Sequence, residues 1–122
     1  MLHHISLPVS DLRAAKAMYA AALAALGYRL VAEAESFAGF GTVDGEDEFA
    51  IALRKPAIAA GPGFHLAFAA PSQLAVDRFH AAALAHGARD NGAPGLRPHY
   101  GATYYAAFVI DPDGHRLEAV HK

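Results

Sequence analysis

Apolar and polar positions along the chain fall into two matching series. In the first, Ile5, Leu7 and Val9 alternate with His4, Ser6 and Pro8, a period of two that predicts a strand over residues 2–9. Ser10 is then placed as the N-cap of a helix over residues 11–26, with Asp11 in its first turn and Gly27 as its stop. Three further strands are predicted over residues 28–34, 37–43 and 48–54, the last two joined by a turn at Asp44-Gly45-Glu46-Asp47. A linker rich in proline and glycine covers residues 55–63, and the order then repeats: strand 64–70, Ser72 as N-cap, and a helix to His86. A short, poor strand over 88–91 follows, then a glycine- and proline-rich loop over 92–102, a strand over 103–110, a turn at Asp111-Pro112-Asp113-Gly114 and a last strand over 115–121.

The match between the two series has a fixed offset. His4 and His65 are 61 positions apart, and so are the pentapeptides Ala20-Ala21-Ala22-Leu23-Ala24 and Ala81-Ala82-Ala83-Leu84-Ala85. Alanine is too common here for the pentapeptides alone to carry the argument, but the shared offset and the shared order of elements point to one β-α-β-β-β unit used twice. Module one is residues 1–54 and module two 64–122. Two histidines at the starts of equivalent strands are then placed to converge between the halves.

Composition narrows the possible partners. A chain of 122 residues with 54% apolar and 18% charged positions is long enough to bury a core. Its formal charge of −2 argues against nucleic acid, which selects a basic face. No stretch approaches the roughly 18 to 20 apolar residues that span a bilayer, so the chain is expected in the cytoplasm and off the membrane. With no cysteine, a metal must be held by histidine, carboxylate or water.

Three segments then carry a resemblance: His4-Ile5-Ser6-Leu7-Pro8-Val9-Ser10-Asp11-Leu12, Phe64-His65-Leu66-Ala67-Phe68 and Asp111-Pro112-Asp113-Gly114-His115-Arg116-Leu117-Glu118. In this order and at these separations the chain resembles the vicinal oxygen chelate superfamily of glyoxalases, extradiol dioxygenases and fosfomycin- and bleomycin-resistance proteins. The resemblance implies an α+β fold of two tandem modules forming a curved, mixed sheet around a cavity with a divalent metal at its floor. It implies His4, His65 and Glu118 as metal ligands, and puts Ala52, read as the pseudo-symmetric partner of Glu118, where glyoxalases carry a glutamate. Two imidazoles and one carboxylate suit iron, manganese, zinc or nickel with open positions for substrate. The set is nearer to the dioxygenases than to the glyoxalases, and glyoxalase I activity itself is not expected. Small members complete their sites across a dimer, so a homodimer is expected.

Alternation gives an independent view of the cavity. Small residues (Ser6, Ala50, Ala52, Ala67, Ala69) share a side with the histidines, and bulky ones occupy the other. An ordinary alanine-rich sheet would show the same pattern. The loop before the seventh strand gathers Arg97, His99, Tyr100, Tyr104 and Tyr105; His99 and Tyr104 are candidate proton carriers, and Arg97, Tyr100 and Tyr105 candidate substrate contacts, with an aromatic lid as the other reading. Ala52, Arg54 and Phe108 complete the candidate lining, Phe108 standing where the dioxygenase pattern has a tyrosine. The expected function is a metal-dependent lyase, isomerase or dioxygenase acting on a small molecule with adjacent oxygens. The alternative is a non-catalytic drug- or metabolite-binding protein of the bleomycin-resistance type.

Overall fold

The computed structural model describes residues 1–122. Its elements run β1 (Ile5–Val9), α1 (Leu12–Ala24), β2 (Arg29–Ala34), β3 (Phe37–Gly41), β4 (Phe49–Leu53), β5 (Leu66–Ala69), α2 (Gln73–Ala85), β6 (Arg89–Leu96), β7 (Tyr105–Ile110) and β8 (Arg116–His121). Both helices begin and end at the 61-residue offset, and each stops just before a glycine with positive φ, Gly27 at 93° and Gly87 at 101°. Their inward faces carry Ala15, Met18, Tyr19, Ala22 and Leu23 on α1 and Ala75, Val76, Phe79 and Ala83 on α2, the three-and-four spacing of an amphipathic helix. The α2 cap is Ser72 as expected. The α1 cap is Asp11 rather than Ser10, its carboxylate accepting from the Ala14 N–H at 3.0 Å.

The expected mixed α+β architecture is present, but its strands hydrogen-bond as two four-stranded sheets instead of one. Their orders are β1-β4-β3-β2 and β5-β8-β7-β6, with β1 parallel to β4, β5 parallel to β8, and the other pairs antiparallel. β1 starts at Ile5 rather than residue 2, because its last ladder contact is the Ile5 N–H to the Glu48 carbonyl. The largest departure is β6: an eight-residue strand, five of whose residues pair with β7, stands where a short strand and a long loop are predicted. Its outer edge is free, so Pro94 has no ladder bond to lose there, and register shifts around Gly92 and Gly95 absorb the irregular stretch.

One apolar cluster runs through both modules. α1 packs on α2, and Phe49 meets Phe68 edge-on with ring centres 5.3 Å apart. Beside this seam lies a polar latch built from the Asp111–Gly114 turn. Asp111 Oδ1 accepts from the backbone N–H groups of Asp113 and His115 at 3.0 and 2.8 Å, and its Oδ2 accepts from the Tyr19 hydroxyl at 2.6 Å. Ser10 donates from its N–H and its hydroxyl to Asp113, and His115 Nε2 lies 2.6 Å from the Pro8 carbonyl. The Asp-Pro-Asp-Gly-His segment thus joins module two to the β1–α1 junction of module one.

Candidate functional site

Each sheet row can be read across from its register. In module two one row runs Ala67, Glu118, Phe108, Gly92; its counterpart in module one, starting 61 residues earlier, runs Ser6, Ala50, Gly39, Ala32. The pseudo-symmetric partner of Glu118 is therefore Ala50, and Ala52 lies two residues further along the same face. The expectation for Ala52 misses by this one step because the turns feeding β4 and β8 differ in length. The one ionisable side chain of the two rows, Glu118, is on module two.

Leu117 and Ala119 pack into the core, so Glu118 between them must point to the opposite face. It is nevertheless only 1% exposed, because two side chains cover it. His65, two residues before Ala67 on the same face, brings Nε2 to 2.9 Å from Oε2, and Tyr104 donates its hydroxyl to Oε1 at 2.5 Å. Burial, reinforced by the Glu118 carboxylate, pushes the Tyr104 phenol up to about 12, so it remains a proton donor at neutral pH. The His65 side chain is 51% exposed, leaving its outer side open to solvent.

Phe108, beside Glu118 on β7, forms the floor of this face. His65 meets its ring at 6.2 Å, and the Arg97 guanidinium lies 5.4 Å from the same ring centre. A tight hydrogen-bonded turn holds the intervening loop: the Arg97 N–H donates to the Tyr104 carbonyl at 2.7 Å and the Tyr100 N–H to the Arg97 carbonyl at 2.9 Å. His99 lies against Tyr100 and Tyr100 against Tyr104 as tilted ring pairs, with centres 4.2 and 5.2 Å apart. His99 is thereby a ring away from Tyr104, with no hydrogen bond to Glu118.

A family model described as the glyoxalase/bleomycin resistance protein/dioxygenase superfamily matches residues 1–119. The chain belongs to this superfamily. A glyoxalase/bleomycin resistance protein from Albidiferax ferrireducens T118 superposes with a TM-score of 0.84 at 31% identity, over 98% of this chain and 97% of that one. A glyoxalase-related enzyme from Fulvimarina pelagi gives 0.76 at 20% identity, over 100% and 88%. An E144Q mutant of glyoxalase I from Zea mays gives 0.71 at 20% identity, over 96% of this chain but 45% of the maize one, so this chain spans less than half of that enzyme. The latter two likenesses concern the fold. No curated protein matches the chain significantly.

Against the superfamily pattern, the three expected metal ligands are not brought together within the chain. His65 and Glu118 meet, whereas His4 is exposed and turns to His3, their Nδ1 atoms 2.8 Å apart. No three histidine or acidic side chains of the chain converge in a way that could hold a metal ion. His4 instead lines a cleft of about 300 Å³ with Phe49, Leu66, Ala67 and Phe68, which neither His65 nor Glu118 lines. Tyr105, expected to line the site, faces the other way: its hydroxyl donates to Asp77 on α2 at 2.6 Å, and that bond raises its pKa. Arg54 is exposed on the other sheet and folds back on the Leu53 carbonyl. Alternation alone puts Ala50 on the small-residue face but not opposite Glu118, and the places of Gly92 and Gly95 in the site have only residue size as a signal in the sequence. No helix is long and apolar enough to cross a membrane.

Proposed function

We propose that the face built on Glu118, His65, Tyr104 and Phe108 is the small-molecule site of a metal-dependent enzyme of the superfamily, completed in a homodimer by His4 of a second copy. The observation carrying this reading is the buried Glu118 carboxylate with the His65 imidazole 2.9 Å from its Oε2. A buried carboxylate beside a solvent-open imidazole supplies two of the three donors that a first-row divalent ion takes in a two-histidine, one-carboxylate set. Tyr104 holds Oε1, fixing the carboxylate plane so that Oε2 stays on the His65 side. When bound, the ion would polarise a carbonyl or stabilise an enediolate on a substrate that offers adjacent oxygens.

Two features support completion by a second copy. His4 lies at the mouth of β1, and both β1 and β5 are free sheet edges next to the candidate ligands. Module one has alanine at position 50, so no second carboxylate stands ready to move a substrate proton as in glyoxalase chemistry. That leaves lyase, other isomerase or dioxygenase chemistry on a small chelating molecule. A non-catalytic binding protein is the second reading, favoured by the absence of a third ligand within the chain.

The test is metal content in mixed dimers. His4→Ala and Glu118→Gln should each lose the metal alone, while dimers re-formed from an equal mixture recover about a quarter of the wild-type content, since half are hybrids with one intact site. No recovery on mixing removes the shared site. A wild-type protein without metal that still binds ligands on this face selects the binding-only reading.

A further inference from the structure

Arg97 is the unusual group of the Glu118 face. It makes no ion pair. Its Nη1 donates to the Gly95 carbonyl at 2.9 Å and its Nη2 to the Ala93 carbonyl at 2.7 Å, which accounts for two of its five N–H groups and fixes the plane of the fork. The surroundings are shaped to admit it. A Cβ at Gly95 would lie 3.2 Å from Nη1, and one at Gly92 would lie 3.3 Å from Nη2 and 3.0 Å from the Phe108 ring. Two glycines in an edge strand thus leave room for a guanidinium laid over an aromatic ring, and a half-buried, immobilised cation without a counter-ion favours an anion.

We propose that Arg97 receives the carboxylate of the ligand, so that the ligand class is a small organic acid with an apolar or aromatic body. This rests on the reading of the Glu118 face as the ligand site. Phe108 sets the spacing: Arg97 and His65 both lie within 6.2 Å of its centre, so one molecule with a ring-sized body can rest there with its carboxylate on Arg97. A planar carboxylate matches the fork of N–H groups that the backbone carbonyls leave free, and such charge-assisted pairs are the stronger hydrogen bonds. Arg116, two residues before Glu118 on the same face, is the other unpaired cation there, but no hydrogen bond fixes its guanidinium.

The experiment titrates phenylacetate and phenylacetamide, which share ring and size and differ in charge and in the donor NH2 of the amide, by calorimetry on protein stripped of metal over a chelating resin. Wild type should bind the acid at least about ten-fold more tightly than the amide, the scale of one charge-assisted contact. Arg97→Gln should erase the preference by weakening the acid alone, Arg97→Lys should keep part of it, and Arg116→Gln should leave it intact. Equal or undetectable binding of both probes to wild type, or a preference that survives Arg97→Gln or disappears in Arg116→Gln, overturns the proposal. The wild-type ratio and the lysine variant decide the matter even if the glutamine variant unfolds. Because no metal is present, the preference can persist where the mixed-dimer test fails, and a metal can be found where the preference is absent.

Discussion

The Tyr104 hydroxyl donates to Oε1 of Glu118 across 2.5 Å, joining the end of the 97–104 loop to the middle of β8. Loop position and carboxylate orientation are therefore one structural variable. The phenol, pushed up to about 12 from its ordinary 10 by burial and then by Glu118, holds its proton more tightly in the folded protein than in the unfolded chain. Its contribution to stability is complete below pH about 10 and is lost as pH rises through about 12. Ultraviolet titration of phenolate should show one component near pH 12 that Tyr104→Phe removes. If the difference between the two proteins titrates near 10, the contact with Glu118 is absent in solution.

The latch between Tyr19 and Asp111 predicts a stability effect remote from the ligand face. Tyr19→Phe deletes a hydroxyl and leaves Asp111 Oδ2 buried without its donor, which costs about 1–3 kcal/mol. Asp111→Ala should cost more, because the Asp113 and His115 N–H groups also lose their acceptor. Denaturant unfolding measures both, and an unchanged midpoint for Asp111→Ala would show that the turn holds without the latch.

Much of this arrangement could be read from the residues, for a physical reason: burial imposes periodicity. The 61-residue offset fixes both helices, and alternation about Leu117 and Ala119 assigns Glu118 to the opposite face. What escaped depends on contacts distant in sequence. Ser10 and Asp11 are both good caps, and the choice between them falls to Asp113, which engages Ser10 from the other module. Tyr105 follows Tyr104 and so must face the helix, a consequence visible only once β7 has its register. The exchange of Ala50 for Ala52 is of the same kind, since parallel pairing is set by the turns and by neighbouring strands rather than by the strand itself.

Gly92 provides a test of how tightly the ligand face is built. Its φ is positive, and a Cβ at this position would come within 3.0 Å of the Phe108 ring, so backbone and neighbour both oppose a side chain. Gly92→Ala should destabilise the protein by about 1–3 kcal/mol through crowding and backbone strain. The readout specific to the face is the acid-over-amide preference, which should fall as Phe108 and Arg97 are displaced. A variant with unchanged unfolding midpoint and unchanged preference would show that the β6 bulge yields freely.

Ala50 and Ala52 allow the register itself to be tested by a pair of substitutions. Glu118 is tolerated while buried because Tyr104 and His65 occupy both of its oxygens. Ala50 is 2% exposed, and its row neighbours are Ser6 and Gly39, which offer at most one hydroxyl donor. Ala50→Glu therefore places a carboxylate in a buried site without adequate partners and should cost about 3 kcal/mol or more. Ala52 is only half-buried, so Ala52→Glu can turn its carboxylate to solvent and should stay within about 1 kcal/mol of wild type. If His4 serves a metal in the assembled dimer, a carboxylate at position 50 would join the same site. Added divalent ion should then restore part of the stability lost in Ala50→Glu and none in Ala52→Glu, because only a ligand bound to the folded state stabilises it. Thermal unfolding with and without metal measures all four cases, and greater damage or greater metal rescue in Ala52→Glu would return the symmetry partner of Glu118 to position 52.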